Sequence, residues 1–140
     1  MMDSVLGELT ESARFPGAYE GTLQVGGKSV SFRIDPDDVS LEQTLTMARR
    51  VVSNLEDYEK RARSKVCETH LELYNDDWRP ERDPILTADQ FSSRLDLTHI
   101  GFLACSSIDV FYGDKDMFGG HSLIAQSFDG ETFEDVMMFG

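Results

Sequence analysis

The middle of the chain is one long stretch of helical spacing, and strand-like patterns flank it on both sides. Apolar residues recur every three or four positions from Leu41 to Leu73, which is the spacing of one helix face. Because helical and strand-like patterns occupy separate blocks of the sequence, they predict an α+β fold. We expect a mostly antiparallel sheet, made of an N-terminal hairpin and C-terminal strands, with helices packed on one face.

The long stretch is expected to hold two helices, since a single helix of that length is unusual in a small domain. Ser40 is a good N-cap for the first helix. Ser53 and Glu56 fit a capping box for the second, so a break is predicted near residues 53 to 56.

A β-hairpin is the clearest local pattern. Residues 19–25 and 28–34 alternate on either side of Gly26-Gly27, a pair that tolerates the positive φ angles of a tight turn. Residues 1–18 form a weaker unit, an extension or a short helix with Val5, Leu6 and Leu9 on one face.

Past the helical stretch, residues 75 to 86 are predicted to form a loop. Thr87 and Gln90 then fit another capping box, which opens a short helix. Asp129-Gly130 is a hairpin turn signal within the last block. Four runs of strand length make up that block: residues 97–104, 107–112, 121–128 and 133–139. With 140 residues in all, the chain is expected to form a single domain.

Acidic residues outnumber basic ones by 26 to 13, for a net charge of −13. This charge repels nucleic acids and anionic membranes and favours a basic partner. The one basic run, residues 60–65, is interpreted as a solvated helix face because only Ala62 faces inward there.

No stretch approaches the roughly 20 apolar residues of a membrane span, and the N-terminus lacks the pattern of a signal peptide.

Motifs of catalysis are missing from the sequence. It contains no phosphate loop, nucleophile elbow or zinc-protease motif. One disulfide between Cys67 and Cys105 is possible, but two isolated thiols are more often buried and reduced. A catalytic triad assembled by folding from one of His70, His99 and His121 stays open. We therefore predict no catalytic residue and no cofactor. The absence of a signal-peptide pattern predicts a cytoplasmic protein.

Two acidic clusters are candidate metal sites. Asp35–Asp38 lacks the glycine and the final glutamate of a calcium loop. Asp114, Asp116 and His121 offer two carboxylates and an imidazole, the set that a small metal-dependent hydrolase or phosphoesterase would use. Because aspartate and glycine dominate turns for conformational reasons, the second cluster is interpreted as a turn, and no metal ligand is predicted.

Residues 116–122, Asp-Met-Phe-Gly-Gly-His-Ser, form the densest local signal. Two glycines permit a bend with positive φ. Phe118 is expected to anchor this corner on the core, while His121 hydrogen-bonds the backbone across it. Upstream, Asn75 and Trp78 are interpreted as a helix end and a cap on the core.

The order of these motifs over residues 15 to 140 resembles the bacterial domain-of-unknown-function family 2262. The specific parts are Asn-x-x-Trp at 75–78, Phe-Gly-Gly-His at 118–121 and the Asp129-Gly130 turn. That family has no established catalytic residues, so the resemblance implies no active site. Its relatives resemble immunity proteins of interbacterial toxin systems.

These observations lead to one functional hypothesis and two alternatives. The chain is expected to be a cytoplasmic immunity protein that covers the basic cleft of a toxin acting on nucleic acid or nucleotides. The alternatives are the metal-dependent hydrolase and a non-enzymatic regulatory domain. The candidate partner-binding residues are Asp76, Asp77, Trp78, Asp114, Asp116 and His121.

Overall fold

The computed structural model of the protein describes residues 1–113 and 115–140. The elements are β1 (Met2–Asp3), β2 (Gly7–Glu8), β3 (Thr10–Glu11), β4 (Tyr19–Val25), β5 (Lys28–Asp35), α1 (Leu41–Ser53), α2 (Leu55–Leu73), a π-helical turn (Tyr74–Trp78), α3 (Ala88–Ser93), β6 (Asp96–Leu103), β7 (Ser107–Gly113), β8 (Ser122–Ser127) and β9 (Phe133–Phe139). No helix in the described part of the chain combines the length and apolarity needed to span a bilayer.

Strands β3 to β9 form a seven-stranded sheet in sequence order, and β1 and β2 form a separate two-stranded sheet. Neighbouring strands in the large sheet are antiparallel except β5 and β6, which are parallel. A parallel pair needs a long crossover connection, and the helical block supplies it. The predicted mixture of helices with a mostly antiparallel sheet is therefore confirmed.

Local turn and cap signals are the best-predicted parts of the fold. Gly26 and Gly27 have φ angles of 59° and 79°, as a hairpin turn of the primed type requires, and they join β4 to β5. Both reciprocal hydrogen bonds of a capping box are present at Ser40 with Gln43 and at Thr87 with Gln90. The four strands expected after Asp96 are also present.

The break between α1 and α2 is confirmed, but the predicted capping box at Ser53 is wrong. Ser53 is still the last residue of α1, and Asn54 is the junction residue. The Asn54 side chain donates to the Arg50 carbonyl at 2.8 Å. It therefore satisfies a carbonyl at the end of α1 and leaves α2 without a side-chain cap.

The short helix expected within residues 1–18 is also wrong. The Asp3 carboxylate accepts the backbone N–H groups of Val5 and Leu6 at 2.9 Å each. These hydrogen bonds close the turn between β1 and β2, and the segment folds as β1, β2 and β3. Leu6 and Leu9 are nevertheless buried, whereas Val5 is exposed.

Core side chains alternate along the central strands. Along β7, for example, Ile108, Val110 and Tyr112 are buried, while the intervening Asp109 and Phe111 are only half-buried. Helix α1 contacts β5 and β6, and α2 contacts β8 and β9. The helical block therefore packs against strands along most of the sheet.

Arg63 joins three elements, so the prediction that residues 60–65 are merely a solvated face is wrong at this position. Its guanidinium pairs with Glu59 at 3.1 Å and donates to the carbonyls of Ser92 and Leu95 at 2.6 and 3.0 Å. The Tyr112 hydroxyl donates to the same Glu59 carboxylate at 2.9 Å. Burial raises the pKa of Tyr112, which keeps this donor proton in place.

We predict that Arg63→Met lowers the free energy of unfolding by about 2 kcal/mol, because two carbonyls and a carboxylate lose their shared donor. Urea unfolding measures the change. Lys60→Met on the same helix is the control, since Lys60 is exposed and should change stability by less than about 0.5 kcal/mol. Equal effects of the two substitutions would contradict the network.

The Asp3 carboxylate is held by Arg49 on α1 at 2.7 Å, a contact that lowers the pKa of Asp3 from 3.8 to about 2. The ionised form favours the folded state, so its contribution is complete above about pH 5 and is lost as the pH falls through about 2 to about 1.

We predict that Asp3→Asn lowers the melting temperature at pH 7, and that the difference from wild type shrinks below about pH 4 and vanishes near about pH 1. Thermal unfolding from about pH 1 to pH 7 tests this, and a difference that is constant with pH would contradict it.

Candidate partner-binding site

Helix α2 continues without interruption into the π-helical turn at residues 74–78. The Arg79 N–H donates to the Tyr74 carbonyl at 2.7 Å, and Tyr74 is buried. The predicted loop from residue 75 therefore begins with a helical turn. Asp76 and Asp77 are exposed on this turn, and Trp78 ends it. Such π-helical turns occur frequently at functional sites.

Two side chains fix the loop that follows. The Asn75 amide donates to the Leu86 carbonyl and accepts the Leu86 N–H, both at 2.9 Å, which copies a backbone pair. Arg79 donates to the Asp83 carbonyl at 2.6 Å. These hydrogen bonds hold the loop against the π-helical turn at the end of α2.

The Phe118 ring is fully buried among four aromatic side chains. Its centroid lies 5.8 Å from His70, 5.8 Å from Tyr74, 5.6 Å from Trp78 and 6.3 Å from Phe91, all in edge-to-face geometry. Aromatic pairs prefer this arrangement. The prediction that Phe118 anchors the corner on the core is confirmed.

His121 closes the corner. Its Nδ1 lies 2.6 Å from the Phe118 carbonyl oxygen, and its ring centroid lies 6.2 Å from that of Trp78. A carbonyl only accepts hydrogen bonds, so Nδ1 carries the proton in this contact. The expected hydrogen bond across the corner is confirmed.

The structure brings together candidate residues that are far apart in the sequence. Trp78 and His121 are in contact, and Asp76 and Asp77 lie on the same turn as Trp78. Asp116 is exposed and precedes Phe118 by two residues. We call this set the Trp78 corner: Asp76, Asp77, Trp78, Asp116 and His121. The sixth candidate, Asp114, lies outside the described residues.

The acidic clusters have structural surroundings of their own. Asp35 accepts the Asp37 N–H at 3.0 Å, which closes the turn after β5. Within residues 1–113 and 115–140, no group of three or more His, Cys, Asp or Glu side chains is arranged to hold a metal ion. Cys67 and Cys105 are both free thiols.

Sequence reasoning missed a second polar cluster, on the sheet. The Ser31 hydroxyl lies 2.7 Å from His99 Nδ1, and the His99 ring packs edge-on against Phe111 at 5.2 Å. Burial and the nearby Arg33 lower the pKa of His99. No carboxylate hydrogen-bonds His99 among the residues described, so the third member of a catalytic triad is missing from this pair. Ser31 and His99 each lie at a polar position of an alternating strand. Only the parallel pairing of β5 with β6 brings them together.

Gly120 has a φ angle of 83°, and a Cβ added to it would meet no atom within 4 Å. A side chain there is thus disfavoured only by the backbone conformation. We predict that Gly120→Val lowers the free energy of unfolding by about 1–3 kcal/mol, with a smaller loss for Gly120→Asn, because asparagine tolerates positive φ. Urea unfolding compares the two, and equal losses would contradict this explanation.

Comparison of the chain with curated proteins and with solved structures returns no match. One family model, described as an uncharacterised protein conserved in bacteria (DUF2262), matches residues 3–137. The match covers nearly the whole chain, including both strand blocks, the helical block and the Trp78 corner. The chain therefore belongs to the bacterial family DUF2262.

Proposed function

We propose that the chain is an immunity protein that binds a cognate toxin through the Trp78 corner and covers the toxin's active-site cleft. The observation that carries this proposal is that the Trp78 ring is partly exposed although packing holds it in place. Its side chain is 39% exposed, yet its ring is held between Phe118 and His121. A large aromatic group presented to solvent on a rigid base, with carboxylates beside it, is suited to recognition.

Rigidity makes this tryptophan effective in binding. Tryptophan is enriched among the residues that dominate binding energy at interfaces. Because packing already fixes the ring, binding costs little of its conformational entropy. The Asn75 and Arg79 contacts hold the surrounding backbone in the same way.

The charges of the corner indicate the chemistry of the partner. Asp76, Asp77 and Asp116 are exposed, and the whole chain carries −13. A toxin that acts on nucleic acid or nucleotides needs Lys and Arg in its cleft to hold phosphates. Carboxylates on the inhibitor imitate those phosphates and accelerate association. The chain would then neutralise the toxin in the cytoplasm by blocking its active-site cleft.

We also propose that the helices pack on one face of the sheet. The three α-helices all lie in the connection between β5 and β6, and the alternating burial of β7 distinguishes a core face from a more open one. Such a layer would support the Trp78 corner from below through α2 and α3, which supply His70 and Phe91 to the Phe118 cluster.

We predict that the double substitution Asp76→Lys, Asp77→Lys weakens binding of the proposed cognate toxin by about tenfold or more at low salt. The loss should come from slower association, and it should shrink at high salt as screening shortens the range of the charges. Surface plasmon resonance at two salt concentrations measures both effects.

Two further variants complete the test. Asp38→Lys, Glu56→Lys is the matched control, because it reverses two exposed acids outside the corner and alters net charge equally. Trp78→Ala keeps the charge and should accelerate dissociation by about tenfold or more. Full-strength, salt-insensitive binding by the Asp76, Asp77 variant together with unchanged dissociation of Trp78→Ala would rule out this surface.

A further inference from the structure

Strand β9 forms one edge of the large sheet. It pairs with β8 over residues 133–139, and no other strand of the described chain pairs with its outer side. The opposite edge is β3, which has only two residues. An edge strand of seven residues exposes a row of backbone N–H and C=O groups that another chain can pair with.

Apolar side chains line this edge. Met137 and Phe139 lie on the same face of β9 and are 41% and 60% exposed. Met137 is in register with Ile124 of β8, which is in register with Phe111 of β7. The exposed side chains therefore continue an apolar row that crosses three strands.

The acids of β9 form no ion pair among the described residues. Glu134 accepts the Phe128 N–H at 3.2 Å and Asp135 accepts the Val136 N–H at 2.9 Å. A groove of about 450 Å³ beside Phe133 also contains Lys60, Arg61 and Lys65 of α2. None of these three cations is paired with Glu134 or Asp135.

The paired cations of the groove are held by acids of α2 and not by β9. Arg61 lies 3.3 Å from Asp57, and Lys65 lies 3.5 Å from Glu68. A chain that pairs with β9 therefore meets uncompensated carboxylates at residues 134 and 135, next to exposed apolar side chains.

The end of β9 adjoins the Trp78 corner. Phe139 pairs with Ser122, the neighbour of His121. Gly140 packs so closely on His121 that a Cβ added to it would lie 2.9 Å from His121 Cδ2. A partner bound at the Trp78 corner is therefore next to the end of β9, since His121 and Ser122 are adjacent residues.

We propose that the outer edge of β9 receives an extended segment of the toxin as an added strand, with basic side chains beside Asp135 and apolar ones beside Met137 and Phe139. This inference rests on the proposed function and names the second part of the same interface. Backbone pairing would supply the affinity, and the alternating side chains would supply the specificity. A second copy of this chain fits less well, because each copy brings a net charge of −13 and the same unpaired acids.

Hydrogen exchange of the full chain, with and without the toxin, is the direct test. Amides of residues 133–139 that face away from β8 should become protected in the complex. Asp135→Lys should weaken binding by about tenfold or more, whereas the control Glu56→Lys, another single reversal of an exposed acid, should leave the affinity unchanged. Unchanged exchange along β9 with a toxin that binds would overturn this inference and leave the Trp78 corner standing.

Asp135, Met137 and Phe139 lie at alternate positions and share one face of β9. The probe is therefore the peptide Val-Thr-Val-Thr-Lys, which, antiparallel to β9, sets its lysine beside Asp135 and its valines beside Met137 and Phe139 without the toxin. The same peptide with glutamate in place of lysine is its control. The lysine peptide should protect β9, and Asp135→Lys should abolish the protection. If the toxin fails to bind while the lysine peptide protects β9, the proposed function is wrong but the chemistry of the edge is right. If neither peptide protects β9, or if sedimentation shows a dimer of the free chain with protected β9 amides, the basic added strand is wrong.

Discussion

The burial of Phe118 is the contact on which the rest of the Trp78 corner depends. The ring comes from the connection between β7 and β8, and it meets side chains from α2, the π-helical turn and α3. Edge-to-face contacts are directional, so one ring fixes the relative position of several elements. Trp78 and His121 adopt their places on this base, and the carboxylates of residues 76 and 77 are presented as a consequence.

Several cations of this acidic chain tie its elements together. Arg49 ties α1 to Asp3 in the N-terminal segment. Arg63 ties α2 to α3 through the Ser92 carbonyl, and its partner Glu59 ties α2 to Tyr112 of β7. Arg50 reaches Glu131 in the β8–β9 connection. Each ion pair neutralises one acid and one base, so the net charge of −13 is unaffected by this pairing.

The Trp78 corner and the β9 edge offer two different kinds of recognition. The corner presents a fixed aromatic ring and carboxylates, which suit a basic cleft. The edge presents unpaired backbone, which suits an extended segment. They meet at His121 and Gly140, so the proposed partner would engage both surfaces at once.

Much of the fold was predictable from sequence because turns and caps are local. The Gly26-Gly27 hairpin, the capping boxes at Ser40 and Thr87 and the strands after Asp96 each depend on residues within a few positions of one another. Tertiary contacts decided the rest. The carboxylate of Asp3 caps the turn between β1 and β2, and its partner Arg49 is 46 positions away. The contact between Trp78 and His121 and the Ser31–His99 pair likewise require an aromatic cluster or a parallel strand register that unites distant segments. Sequence determined the elements because backbone preferences act over a few residues, whereas the candidate sites arose from packing between elements, which no local preference encodes.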